Sequence, residues 1–169
     1  FNQYIRGIAI APSNSQVIYA ITDSRVMHTQ NGGTTWSQVN ALGNGSNTYI
    51  AVHPQDPNTA YLTKSGYYGT SKVYVTYDAG TTWQNISYNL PNLPVHCVVY
   101  EKNTDNRIYV GTDVGVYVTD STMTSWLPFS TGLPNVIVKE LEIFYPGNKL
   151  RAATYGRGVW ETPLLGFNT

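Results

Sequence analysis

Charge is scarce in this 169-residue chain: 12% of residues are charged, and ten Lys+Arg offset ten Asp+Glu. A nucleic-acid surface needs clustered Lys and Arg to displace counterions, so that class of partner is excluded. Long apolar runs are also missing. None approaches the ~20 residues of a membrane-spanning helix, which excludes insertion of that kind. The single cysteine, Cys97, leaves nothing for an intrachain disulfide or a cysteine metal cluster. It follows His96 in a strand, where neighbouring side chains point to opposite faces, and it reads as a small buried hydrophobe. His28, His53 and His96 fall one per repeat, without the spacing of a metal site, so neither metal nor cofactor is expected. No segment keeps apolar residues at i, i+3, i+4 and i+7 for ten residues, which removes helices as the main element. Without helices there is no phosphate loop of the kind that opens one. The first residue is Phe1, not Met, and no signal peptide follows, which points to a processed chain or a piece of a longer one.

What the chain does have is repetition. Trp36, Trp83 and Trp126 lie 47 and 43 residues apart. Ahead of each runs the same series of segments. Ile8–Pro12, Ile50–Pro54 and Val98–Lys102 are equivalent, and Tyr19, Tyr61 and Tyr109 each follow seven residues after the last residue of those runs. Val26–Thr29, Val73–Thr76 and Val116–Thr119 form the next run, and a turn then leads to the Trp. A fourth unit runs from Leu141 to Glu161. Each run is short, rich in Val, Ile, Tyr and Thr, and bounded by Gly, Asn, Asp or Pro, which is the signature of strands and turns. Four short strands per ~40–45 residues is the cadence of β-propeller blades. The expected fold is all-β, a propeller of about four blades whose last blade lacks its outer strand. The units are approximately 5–47, 48–94, 95–138 and 139–165, all within one partial propeller over 1–169.

The turns carry a family resemblance. Thr76–Trp83 matches the Asp-box pattern Ser/Thr-x-Asp-x-Gly-x-Thr-Trp in full, and Thr29–Trp36 matches it with Asn31 in the Asp place. Thr119–Trp126 is a worn copy, with Ser121 and Met123 where Asp and Gly belong. The chain therefore resembles the Asp-box (BNR-repeat) propellers, which include sialidases, xyloglucan-degrading endoglucanases, sortilin-type receptors and many secreted bacterial surface proteins. The box residues Asn31, Gly33, Thr35, Trp36, Asp78, Gly80, Thr82, Trp83 and Trp126 read as turn staples and not as a sugar site. Trp36 and Trp83 are expected to cover the gap between neighbouring sheets, and the worn third turn to fold more loosely. Such propellers normally have six or more blades, so the resemblance implies the C-terminal part of a larger one. The open sheet faces would then meet missing blades, another chain or a second copy.

The ligand-facing end should be the one opposite the boxes. Strand order brings Asp23, Arg25, Asp113, Tyr155 and Arg157 there on second-to-third-strand turns, with His96 and Glu140 near the starts of inner strands. The insertion at 66–71 exposes Tyr67 and Tyr68, which serve either as stacking surfaces for a glycan or protein or as packing against a neighbouring blade. No catalytic residue is identified. A glycosidase needs two carboxyls ~5–5.5 or ~6.5–9.5 Å apart, and Asp23 and Asp113 sit two blades from each other as loop-capping aspartates. The reading is a non-catalytic, extracellular or cell-surface recognition or scaffold module for glycan or protein. The alternative is the C-terminal half of a secreted, xyloglucanase-like glycoside hydrolase.

Overall fold

The computed structural model describes residues 3–39 and 42–167. Residues 1–2, 40–41 and 168–169 lie outside that description. The described chain holds fifteen strands in four antiparallel sheets, with one 3-10 turn at Tyr145–Gly147. The first sheet is β1 (Gly7–Ile10), β2 (Ile18–Ile21), β3 (Val26–Thr29) and β4 (Ser37–Val39), in that order. The second is β5 (Asn47–Val52), β6 (Ala60–Lys64), β7 (Val73–Thr76) and β8 (Gln84–Asn85). The third is β9 (Val95–Tyr100), β10 (Ile108–Thr112), β11 (Gly115–Thr119) and β12 (Leu127–Pro128). The fourth has three strands: β13 (Val138–Phe144), β14 (Lys149–Thr154) and β15 (Gly158–Pro163). Two compact units contain them, one ending at Val95 and one starting at His96.

Within the first unit, strand periodicity decides which side chains meet. Register places Ala9, Tyr19 and His28 on one face of the first sheet and Ile8, Ala20 and Met27 on the other. Tyr19, Ile21 and Val26 pack into one cluster with Ile50, Ala60, Leu62 and Tyr74 of the second sheet. Burying each large apolar side chain contributes roughly 1.5–3 kcal/mol. The Tyr19 hydroxyl is satisfied by donating to the Pro57 carbonyl at 3.0 Å, so the aromatic slot carries its polar end without an orphan.

The second unit uses the same slot differently. The Tyr109 hydroxyl donates to Glu101 at 2.7 Å and accepts from the Leu165 N–H at 3.1 Å. Arg107 adds a bond to the Leu165 carbonyl at 2.9 Å, which fastens the segment after β15 to the third sheet. Leu141, Ile143, Leu150 and Ala152 form the buried face of the fourth sheet.

The turns after β3 and β7 are closed from within. Asp78 accepts from the Thr82 N–H at 2.8 Å and the Thr82 hydroxyl at 2.6 Å, and Thr76 Oγ1 accepts from the Gly80 N–H at 2.9 Å. Asn31 repeats the pattern with the Thr35 N–H at 2.9 Å. Two expectations need correction. The third turn is closed by bonds of its own: Asp120, one position ahead of the vacant box place, accepts from the Thr122 N–H at 3.0 Å, and Trp126 is only 1% exposed. Trp36 does not cover a filled gap, since it is 42% exposed, whereas Trp83 packs against the first unit's cluster.

Candidate functional site

The end of the sheets opposite the box turns is built from the β6–β7 loop in the first unit. Gly66 and Gly69 take φ of +107° and +75°, which let the backbone double back within a few residues. Gly45 passes so close to the Ser65 carbonyl that no side chain fits there. Lys72 lies fully buried under the loop, and its Nζ donates to the Gly66 carbonyl at 2.5 Å and the Tyr68 carbonyl at 3.5 Å. Asn92 Nδ2 donates to the Tyr67 carbonyl at 2.7 Å, and Asn85 Nδ2 to Ser71 Oγ at 3.0 Å. Tyr67 and Tyr68 are thereby presented at 59% and 83% exposure on a backbone pinned from beneath.

A second buried lysine supports that loop. Lys64 Nζ donates to Asn47 Oδ1 at 2.9 Å, and Asn47 Nδ2 donates to the carbonyls of Thr22 and Arg25 at 3.0 and 3.1 Å. This ties the β2–β3 turn to the β6–β7 loop. Burial, and behind it the charge of Lys72, pulls the Lys64 amine down to about 8, and burial lowers Lys72 as well. Sequence reasoning missed Lys64, Lys72 and Asn47. The available signal was two lysines at the flanks of the only long insertion between second and third strands.

Asp23, at the β2–β3 turn, forms an ion pair with Arg6 just ahead of β1. Arg25 Nη1 instead reaches Gln38 on β4 at 3.3 Å, along the sheet. Arg6, Gly7 and Ile8 face Thr48, Tyr49 and Ile50 across a cleft of about 180 Å³. Its lining combines two isoleucines with one guanidinium, one hydroxyl and one phenol.

In the second unit, His96 holds the repeat position of Arg6, and Asp113 that of Asp23. They too are paired, with His96 Nε2 and Asp113 Oδ1 2.7 Å apart. Lys139 Nζ stands 3.5 Å from His96 Nδ1, a neighbour that the sequence reading did not include. Glu140 is exposed, and its charge is the second cause, after burial, that pushes the Cys97 thiol up to about 12. Tyr155 and Arg157 are exposed on the β14–β15 turn, where the Arg157 carbonyl accepts from Trp160 Nε1 at 3.1 Å. Among the described residues, no three His, Cys, Asp or Glu side chains gather as metal ligands, and no helix is long and apolar enough to cross a membrane. Both loop aspartates lie against a base, an arrangement suited to binding and to holding turns.

Comparison with known proteins gives this geometry a context. The extracellular domain of the hybrid two-component system protein BT3049 from B. thetaiotaomicron superposes with a TM-score of 0.70 at 14% identity, over 95% of this chain and 20% of that one. The GH74 enzyme of Niastella koreensis gives 0.72 at 13% identity, over 94% and 28%. YCF48 bound to D1 peptide gives 0.66 at 14% identity, over 99% and 54%. These likenesses show a β-propeller fold, and the four sheets are its blades. The vacuolar protein sorting/targeting protein 10 of Mycosarcoma maydis is 32% identical over 85 residues, which are 47% of this chain and 5% of that protein. The chain thus spans a small part of the curated relative it matches. The model of the Sortilin-Vps10 family (sortilin, neurotensin receptor 3) matches residues 24–142, well over half of the sequence, and the chain belongs to that family.

Proposed function

We propose that this chain is a non-catalytic recognition module that binds a protein segment at the loop end of its blades, in a compartment outside the cytosol or at the cell surface. The observation that carries this reading is the pair Tyr67 and Tyr68, exposed on a loop that Lys72 and Asn92 hold in place. Two exposed tyrosines on a pre-ordered backbone offer contact area at little cost in entropy, the condition under which aromatic residues anchor interfaces. The cleft beside Arg6 and Tyr49 adds a guanidinium and a phenol at the same end of the first unit's sheets. A protein ligand is favoured over a glycan because the curated relative is named for protein sorting and targeting, and one structural neighbour is a propeller bound to a peptide. The hydrolase alternative draws on the likeness to a GH74 enzyme, but Asp23 and Asp113 are each paired with a basic group within their own unit.

The test screens the chain against a displayed random-peptide library and a glycan array in parallel. Peptides should be selected, and Tyr68→Ala with Tyr67→Ala should weaken the best of them at least about tenfold, or ~1.4 kcal/mol, with an unchanged melting temperature. Undiminished peptide binding by the double variant would move the site elsewhere. Binding of glycans alone, with or without hydrolysis, would replace the protein ligand.

A further inference from the structure

Charge is sorted by end in the first unit, which runs to Val95. Its basic side chains Arg6, Arg25, Lys64 and Lys72 all stand at the loop end, where Asp23 is the one carboxylate among the described residues of this unit. The other two acids, Asp56 and Asp78, lie at the box end, in the β5–β6 and β7–β8 turns. His28 and His53 stay neutral at that end, because burial disfavours the protonated form of both. The second unit shows no such sorting. Its loop end mixes Asp113 and Glu140 with Lys139 and Arg157, and its box end mixes Glu101 and Asp120 with Lys102 and Arg107.

The repeat shows what is particular to blade 2. The slot three residues past the repeat tyrosine holds Thr22 in blade 1, Thr112 in blade 3 and, past Arg151 in the tyrosine's place, Thr154 in blade 4. Each threonine hydroxyl closes its own hairpin. Thr22 Oγ1 accepts from the Arg25 N–H at 3.2 Å, and Thr112 and Thr154 donate to the Gly115 and Gly158 carbonyls at 2.9 and 2.7 Å. In blade 2 the slot is Lys64, with Lys72 at the other end of the loop, and both are fully buried. Their ammonium groups meet neutral oxygens, the Asn47 amide and the Gly66 and Tyr68 carbonyls, and among the described residues no carboxylate. Two buried like charges without a counterion are costly, and the cost falls when an anionic group settles over them. The carbonyls of Gly66, Tyr67 and Tyr68 are engaged by Lys72 and Asn92, so the loop offers few free acceptors to a cationic ligand.

Resting on the recognition of a protein segment at this end, we propose that the segment is acidic, a peptide whose Asp and Glu side chains face Arg6, Arg25 and the lysine-backed loop. Attraction between a carboxylate and the two buried amines passes through protein, where the effective dielectric is lower than in water, so it acts on a ligand that never touches them. Arg6 and Arg25 supply the contacts. Arg6 borders the cleft with Thr48 and Tyr49, and Arg25 is half-buried on the β2–β3 turn that Asn47 ties to the loop. A basic segment would meet like charge on all sides but that of Asp23, which is already paired with Arg6. With two of the four cations buried, the surface suits a short run of carboxylates and not a phosphate backbone, which needs exposed Lys and Arg along its length.

The experiment selects a displayed library of random dodecapeptides on the 169-residue chain and reads the charge of what is retained. Asp and Glu should be enriched about twofold or more over the input. The best binder should lose about tenfold or more when its carboxylates are replaced by amides, and about fivefold when salt is raised from roughly 50 to 300 mM. Arg25→Glu should weaken it about tenfold, whereas Lys102→Glu, the same change of net charge at the box end of the second unit, should leave it unchanged. Lys64→Met should weaken it about threefold without lowering the melting temperature, a loss that no direct contact explains because that amine is buried. Retained peptides with no acid enrichment, weakened by Tyr67→Ala with Tyr68→Ala, overturn the inference and leave the recognition reading standing. Acid-rich peptides that respond to Arg25→Glu but not to the tyrosine variant support the inference and move the recognition reading off the tyrosines. Retention of no peptide overturns both, and binding of a heparin dodecasaccharide in that case gives the cations to a sulfated glycan.

Discussion

Trp36, Trp83 and Trp126 occupy one slot of the repeat but differ in what lies over them. Trp126 is 1% exposed, Trp83 half-buried and Trp36 exposed. Truncating an indole costs more the more tightly the ring is enclosed, so the three alanine variants should rank in that order. Trp126→Ala is expected to lose about 3–5 kcal/mol, and Trp36→Ala about 1 kcal/mol or less. Urea unfolding of the three variants measures this, and a Trp36 variant as damaged as the Trp126 variant would mean that the first blade's indole is covered in solution. A sequence shows the slot but not its occupancy, because burial depends on the neighbouring sheet. The worn third turn illustrates the same limit. Loss of the box Asp at Ser121 reads as weakness, yet Asp120 performs a similar turn-closing task from the adjacent position.

At the scale of the turn and the blade, the two intact boxes make the same local bonds and differ in their surroundings. Gly80 and Gly33 have φ of +89° and +93°, so alanine is strained at either. Only at Gly80 does the new methyl also press on Tyr19 and His28. Gly33→Ala should cost about 1 kcal/mol, and Gly80→Ala about 2–3 kcal/mol once the crowding is added. Thermal unfolding of the pair distinguishes them, and equal losses would show that backbone strain alone sets the penalty. Strands, turns and the tyrosine slot were legible in the chain because period-two patterning and punctuating Gly, Asn and Asp residues are local. The buried lysines were not, since Lys64 and Lys72 look like solvated loop flanks until the 66–71 segment folds back over them. Nor was Arg151, because the β13–β14 connection is one residue shorter than its counterparts, which takes the residue off the fixed offset that marks the tyrosine slot. The pairing of Asp23 and Asp113 with bases one strand away was likewise a register fact, invisible without the hairpin geometry.

For the molecule as a whole, these buried groups set how stability answers to alkali. Lys64 has its amine pulled down to about 8 from an ordinary 10.5. The unfolded chain therefore binds more protons than the folded one between those values, and stability rises with pH across that window. The charged form is what folding disfavours, so the gain is complete above 10.5 and lost as pH falls through about 8. Tyr19 and Tyr109 act in the opposite sense. Burial holds both phenols neutral well above their ordinary 10.0, so above that pH the unfolded chain ionises first and stability falls. The Cys97 thiol, held neutral up to about 12 against an ordinary 9.0, adds to that fall from pH 9 upward. The expected profile is a rise from about pH 8 towards 9, then a decline above 10 where the tyrosines join, read as urea midpoints at constant ionic strength. Lys64→Met should shrink the rising limb to the part that Lys72 contributes and leave the decline, because it removes one depressed amine without touching either tyrosine. Tyr19→Phe should soften the decline and leave the rise. A wild-type midpoint that only falls between pH 8 and 9, with Lys64→Met following the same curve, would mean that the amine beneath the Tyr67–Tyr68 loop keeps its proton in the folded chain.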